Sequence, residues 1–245
     1  MHRSRYSCGL AGFWPLAHTG GMPEEAPEQG SQISPAVRAQ LLATEHWSLL
    51  ASRSTTQSEV LTRISMFLTL TSAGLVSLAL VGQATDFSGA FPTFAIAVLG
   101  IVLLVGILTQ LRVSNVSMED LAYVLAMNRL RAAYTELDPG IVPYLMSSRY
   151  DDFSGSRQTY YFLGPRGVSH LAGSSMVFSM AVNAALLGVL FAGISSNLAA
   201  PPGPAIGIGA VCGIVYFGTS LWHGSRRYYR FWKTYSPQFP TPPVA

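Results

Sequence analysis

The chain has only two cysteines in 245 residues, Cys8 and Cys212, and a single lysine, Lys233. One cysteine lies in an N-terminal arm and the other inside an apolar run, so a disulfide framework is excluded. Charged residues make up 11% of the chain, a scarcity that fits a polytopic membrane protein better than a soluble domain. No HExxH, CxxC or GK[ST] pattern occurs, so zinc and P-loop chemistry have no motif to rest on. His46, His170 and His223 are far apart and read as separate interfacial histidines. No metal, cofactor or catalytic residue is expected, and the chain reads as a non-enzyme. No ionisable residue lies well inside an apolar run, which argues against a pump or an ion-coupled carrier.

What is present is apolar length. Runs at 64–83, 91–112, 173–195 and 204–222 each match the ~20 helical residues that cross a ~30 Å hydrocarbon core. The connections inside the two pairs, 84–90 and 196–203, hold no Lys or Arg, and Asp86 is their only charge. All 15 basic residues lie in the N-terminal arm, the central segment or the C-terminal tail. By the positive-inside rule this predicts four spans in two hairpins, with both termini in the cytoplasm and the protein in a bacterial inner membrane. The fold class is therefore all-α and polytopic. The net charge of +3 marks the cytoplasmic ends of spans and does not point to nucleic acid.

Residues 1–34 are rich in Gly, Pro, Glu and Ser and are expected to be disordered, with Met22 an alternative start. Residues 7–17 are too short and broken for a signal peptide. Ser34-Pro35 is a helix-start signal, and no Pro or Gly interrupts 36–73, so one helix should run from the cytoplasm into the first span. The second span likewise should continue to Leu137, where Pro139-Gly140 stops it. Val124, Met127, Leu130, Tyr134 and Leu137 form a stripe that needs a partner, and the helix before span one is the nearest. The expectation is a long helical hairpin projecting below the membrane. Residues 138–172, a cytoplasmic loop, read as an ordered loop or short elements and the first place to look for a binding surface, or else as an irregular strap joining the two hairpins.

Several constellations have two readings. Ala205, Gly209 and Gly213 form a small-residue ridge, matched by Ala184, Gly188 and Ala192 in span three. Such ridges let backbones approach, either between copies in a homo-oligomer or between helices of one chain. Ser175, Ser179 and Asn183 recur at i, i+4, i+8 and either line a pore or bond to other helices. Arg129 and Arg131 point to different faces of one helix, and adjacent Asp151 and Asp152 point apart. The favoured reading is an ion pair tying the loop to the helix with Tyr134 packed beneath it; the sharper one gives Arg129 a ligand. After span four, Arg226, Arg227, Arg230 and Lys233 alternate with aromatics over 223–235, as in a helix lying on anionic lipid headgroups, followed by an extended Pro-rich tail.

Asn128-Arg129-Leu130-Arg131, followed by Tyr134, Pro139, Tyr144 and Asp151-Asp152, with Arg63 and Met66-Phe67-Leu68 leading into span one, carries a resemblance. Over roughly residues 45–195 the chain resembles a family of uncharacterised bacterial four-span membrane proteins. The resemblance implies the topology and a cytoplasmic helical part, and transfers no site. In architecture alone, a cytoplasmic helix feeding a short-looped span pair is similar to two-span effectors of nucleotide-signalled bacterial defence systems.

The functional expectation is a non-enzymatic oligomeric membrane module that senses in the cytoplasm or gates a pore. One alternative is an accessory subunit of a larger membrane complex. The other is a small enzyme at the cytoplasmic lipid interface, which would need His170, Arg166 and Asp151 or Asp152 in one cleft. The expected partners are the bilayer and further copies or a membrane complex, with no nucleic acid.

Overall fold

A computed structural model describes residues 33–161, 164 and 173–243. Residues 35–245 form one unit. The arm expected to be disordered lies outside the described residues except for 33 and 34, as does the 165–172 part of the central loop with Arg166 and His170.

The protein is an all-α polytopic membrane protein. Among the described residues there is no strand, and four helices are long and apolar enough to span a membrane. Helix α1 is Pro35–Ala84, α2 is Phe91–Leu137, α3 is Phe153–Tyr160, α4 is Ser175–Asn197 and α5 is Pro202–Thr234; a 3-10 helix covers Pro139–Tyr144. No Pro or Gly occurs over 36–73 or 107–137, so α1 and α2 run on beyond their spans to 50 and 47 residues, about 75 and 70 Å at 1.5 Å per residue. Asp138 closes α2: its amide bonds Tyr134 O, and its side chain accepts from Gly140 N at 2.9 Å. Residues 138–161 are therefore ordered short elements and not an irregular strap.

The helices pack in chain order, α1 on α2, α2 on α4 and α4 on α5, with α1 and α5 at the two edges. Phe67, Leu99, Val102, Leu103 and Leu186 form the main core across three helices. Val60, Ile64, Val113 and Val116 continue it toward the charged end.

One expectation changes. The basic-aromatic segment after the fourth span does not turn onto the membrane surface; it continues α5 without a break to Thr234. Its aromatic face has protein to cover it: Phe153 meets Trp232 edge-on at 5.4 Å and Tyr228 at 6.5 Å. Arg227 bonds Asn115 Oδ1 at 2.8 Å and Arg226 stacks over Trp222 at 5.0 Å, while Arg230 and Lys233 stay exposed.

Candidate functional site at the charged end of the bundle

Beyond the spans, charges hold α1 to α2 in successive layers. At the span edge, Arg112 donates to Glu59 and Glu119, both at 2.9 Å, and Glu59 also accepts from Arg63 at 2.9 Å. The Arg112 bond holds the Glu59 carboxyl below its ordinary pKa. One layer further out, Asp120 accepts from Arg53 Nε at 2.6 Å, Gln57 at 2.9 Å and the Tyr160 hydroxyl at 2.7 Å. Burial, with the Asp120 charge, pushes the Tyr160 phenol far above its usual range. Farthest out, Arg38 pairs with Glu136 at 3.1 Å.

Two buried side chains form the hub. Asn128 is fully buried; its amide donates to Tyr150 O at 2.8 Å. Its oxygen accepts from Arg131 Nη1 at 2.7 Å and Thr159 Oγ1 at 2.9 Å. Asp151, also fully buried, accepts from Arg129 Nε at 2.6 Å, the Tyr235 hydroxyl at 2.9 Å, Gln238 N at 3.1 Å and Phe239 N at 2.7 Å. Its own amide donates to Phe239 O at 3.1 Å. Asp152 caps α3 through Gly155 N at 2.7 Å and accepts from Thr241 N at 2.7 Å and Thr241 Oγ1 at 3.0 Å. The adjacent aspartates thus point apart, and both grip the C-terminal tail, which is a docked strap.

Burial by itself raises a carboxyl's pKa. At Asp151 the Phe239 amide, Arg129, the Gln238 amide and the Tyr235 hydroxyl outweigh it and hold the group below its usual value. Three donors converge on Oδ2 and one on Oδ1, so the ionised carboxylate is the form the site favours. Chemically the hub is a lock on backbone.

The structure brings Arg129 and Asp151 together but leaves Arg131 on Asn128, with no carboxylate partner among the described residues. Tyr134 does not lie beneath the loop. Its hydroxyl donates to Leu42 O at 3.0 Å and its ring stacks on His46 at 6.0 Å, because that stripe faces α1. His46 and His223 lie apart, and His170 is outside the described residues. Among the described residues no three His, Cys, Asp or Glu groups converge.

Inside the spans, Ser179 and Asn183 are buried within one chain. Ser179 bonds back to Ser175 O at 2.8 Å, and Asn183 Nδ2 donates to Gln110 Oε1 at 2.9 Å. Gln110 also accepts from the Tyr216 hydroxyl at 2.9 Å and donates to Ser220 at 3.3 Å. Gln110 was not singled out from sequence, although a carboxamide inside an apolar run is itself the signal. Asn183 Oδ1 has no conventional partner and lies against Gly106, where any Cβ would collide with it. The small-residue ridges meet inside the chain too: a Cβ at Gly209 would strike Gly188 O, and one at Gly213 would lie 2.8 Å from Ala184 O. Ala192 and Ala205 belong to the same contact region, with Ala205 buried.

These features define an all-α multi-pass membrane protein whose helical head, outside the spans, is held by layered ion pairs and a buried hydrogen-bonded junction. Compared with protein-family models, curated proteins and solved structures, the chain matches none.

Proposed function

We propose that this is a non-enzymatic, oligomeric module of a bacterial inner membrane, with both termini in the cytoplasm, that senses or scaffolds through its helical head. The observation that carries the reading is continuity. Helices α1, α2 and α5 leave the spans without a break; α2 passes through the Asn128–Asp151 junction, and α5 ends at it through Tyr235, where the strap begins. A rigid helix transmits displacement along its axis, so a partner that shifts the head shifts the spans. A pore is the weaker variant, because Ser179 and Asn183 are turned into the chain's own interior.

A second reading, an accessory subunit, is favoured by an apolar groove of about 750 Å³ between α4 and α5, lined by Ala181, Ala185, Val189, Ala210 and Phe217. The discriminating experiment is native mass in nanodiscs, paired with cysteine labelling of intact cells at Ser88 and at Tyr144, which is 82% exposed. A closed oligomer labelled from outside at Ser88→Cys alone is expected. A monomer would move the assignment to the accessory subunit, and labelling at Tyr144→Cys would reverse the orientation.

A further inference from the structure

Helix α1 carries a repeat that its packing on α2 does not use. Ser58-x-x-Leu61, Ser65-x-x-Leu68 and Ser72-x-x-Leu75 recur at strict seven-residue intervals, extended by Ala51-x-x-Ser54 before and Ala79 after. A 3.5-residue period sustained this long is the signature of a left-handed helix pair, and small residues once per heptad let two backbones approach. Yet α1 turns this face away from α2. Ser58, Ser65, Ser72 and Ala79 are exposed, as are Leu61 at 59% and Leu75 at 52%; only Leu68, at the seam's edge, touches the Val60–Ile64 cluster.

The hydroxyls supply a second, independent observation. Thr62, Thr69, Thr71 and Ser77 each bond back to the carbonyl four residues earlier, at 2.8–3.0 Å. Ser58, Ser65 and Ser72 donate no hydrogen bond among the described residues, although Ser65 and Ser72 lie within the first span. In hydrocarbon such a hydroxyl turns either to the carbonyl of its own preceding turn or to an acceptor on a neighbouring helix, and these three are left free for the second.

We propose that this face is the seam of a parallel homodimer, α1 against α1 of a second copy. Two copies inserted in the same sense meet in parallel, and a two-fold axis along the membrane normal sets each residue beside its counterpart. Only an uncharged face tolerates that. From Trp47 to Ala79 no seam position is charged, while Arg53, Glu59 and Arg63 stand off the seam, each held in an ion pair within the chain. The repeat also runs past the span, and the hydrocarbon does not reach the 70% exposed Trp47. α1 is an edge helix, so no other described element occupies the face.

The proposal rests on the oligomeric reading above and assigns its surface. In full-length protein with Cys8→Ser and Cys212→Ser, single cysteines replace Ser58, Ser65 or Ser72 on the seam, or Met66, Leu70 or Ala73 off it. Membranes are oxidised with copper phenanthroline and run without reductant. Covalent dimer several-fold higher at all three seam positions than at the controls is expected. In the second arm, Ser65→Ile with Ser72→Ile should halve the native mass, while the paired Ala variant keeps it. A wild-type oligomer without seam cross-links, or with cross-links lacking the heptad period, overturns the seam and leaves the oligomer standing. A monomeric wild type, or one bound instead to a foreign subunit, overturns both.

Discussion

Asp151→Asn tests whether the C-terminal strap is held by the carboxylate's charge. The wild-type strap, residues 236–242, is held by four hydrogen bonds at Asp151 and its helix-end neighbour Tyr235, and by Thr241 on Asp152. Four of these bonds come from the strap itself, from Gln238 N, Phe239 N and both donors of Thr241; at about 1.5–3 kcal/mol for each bond to a charged group they supply roughly 6–12 kcal/mol. Ordering seven backbone residues costs about 7–14 kcal/mol. The two nearly cancel, so the docked strap is poised. Asparagine removes the charge, and however its amide turns, an NH₂ faces at least one donor: Phe239 N on one side, or Arg129, Tyr235 and Gln238 on the other. Losing one bond and the charge assistance of the others costs about 3–5 kcal/mol, which tips this balance toward the undocked strap. Hydrogen exchange at Gln238, Phe239 and Thr241 should therefore accelerate by about 100-fold or more, at ~1.4 kcal/mol per tenfold, while α2 amides near Gly106 keep their protection. Unchanged protection of the strap amides would show that side-chain packing, and not the carboxylate, holds it.

The pH dependence follows from the same group. Asp151 is depressed on folding, so its contribution is complete above the unfolded value near 3.8 and is lost as pH falls through the lower folded value. Strap protection, corrected for intrinsic exchange, should stay flat from neutral pH to about 4 and collapse only below; loss between pH 7 and 5 would assign the latch to another group. In the membrane core, Gly106→Ala drives a Cβ into Asn183 Oδ1 and the Phe67 ring. About 1–3 kcal/mol of destabilisation is expected for such overpacking, read as a lower thermal midpoint in detergent; an unchanged midpoint would mean the helices part there without cost.

Legibility differed by the kind of force involved. The spans and the hairpin arms were readable because hydropathy, breakers and caps act within one segment: the stop at Pro139-Gly140 placed the end of α2 at Leu137, where the structure has it. Arg129 and Asp151 were readable as charges needing partners. The strap was not, because it binds through amides of Gln238, Phe239 and Thr241, and every sequence offers such donors. Nor was the Gln110 cluster, whose three partners come from two other helices whose axial register no local pattern fixes. The course of α5 beyond Trp222 was misread for a related reason. A basic-aromatic helix suits a lipid surface as well as a protein one, and Phe153 decides between them.

Helix α1 makes the same point in reverse. Positions 42, 46, 49, 53, 56, 60, 64, 67, 71, 74 and 78 are half-buried or buried, a 3-4 series, flanked by half-buried Glu59 and Leu68, that is used up on α2 and the core behind it. The Ser-x-x-Leu series runs in the same helix at the same period, and from sequence alone either could be the internal face. Once the first series is assigned to α2, the second is left without a partner among the described residues. A helix needs one seam to pack into a hairpin; a second seam, kept free of charge from water into the span, makes sense only if something else meets it.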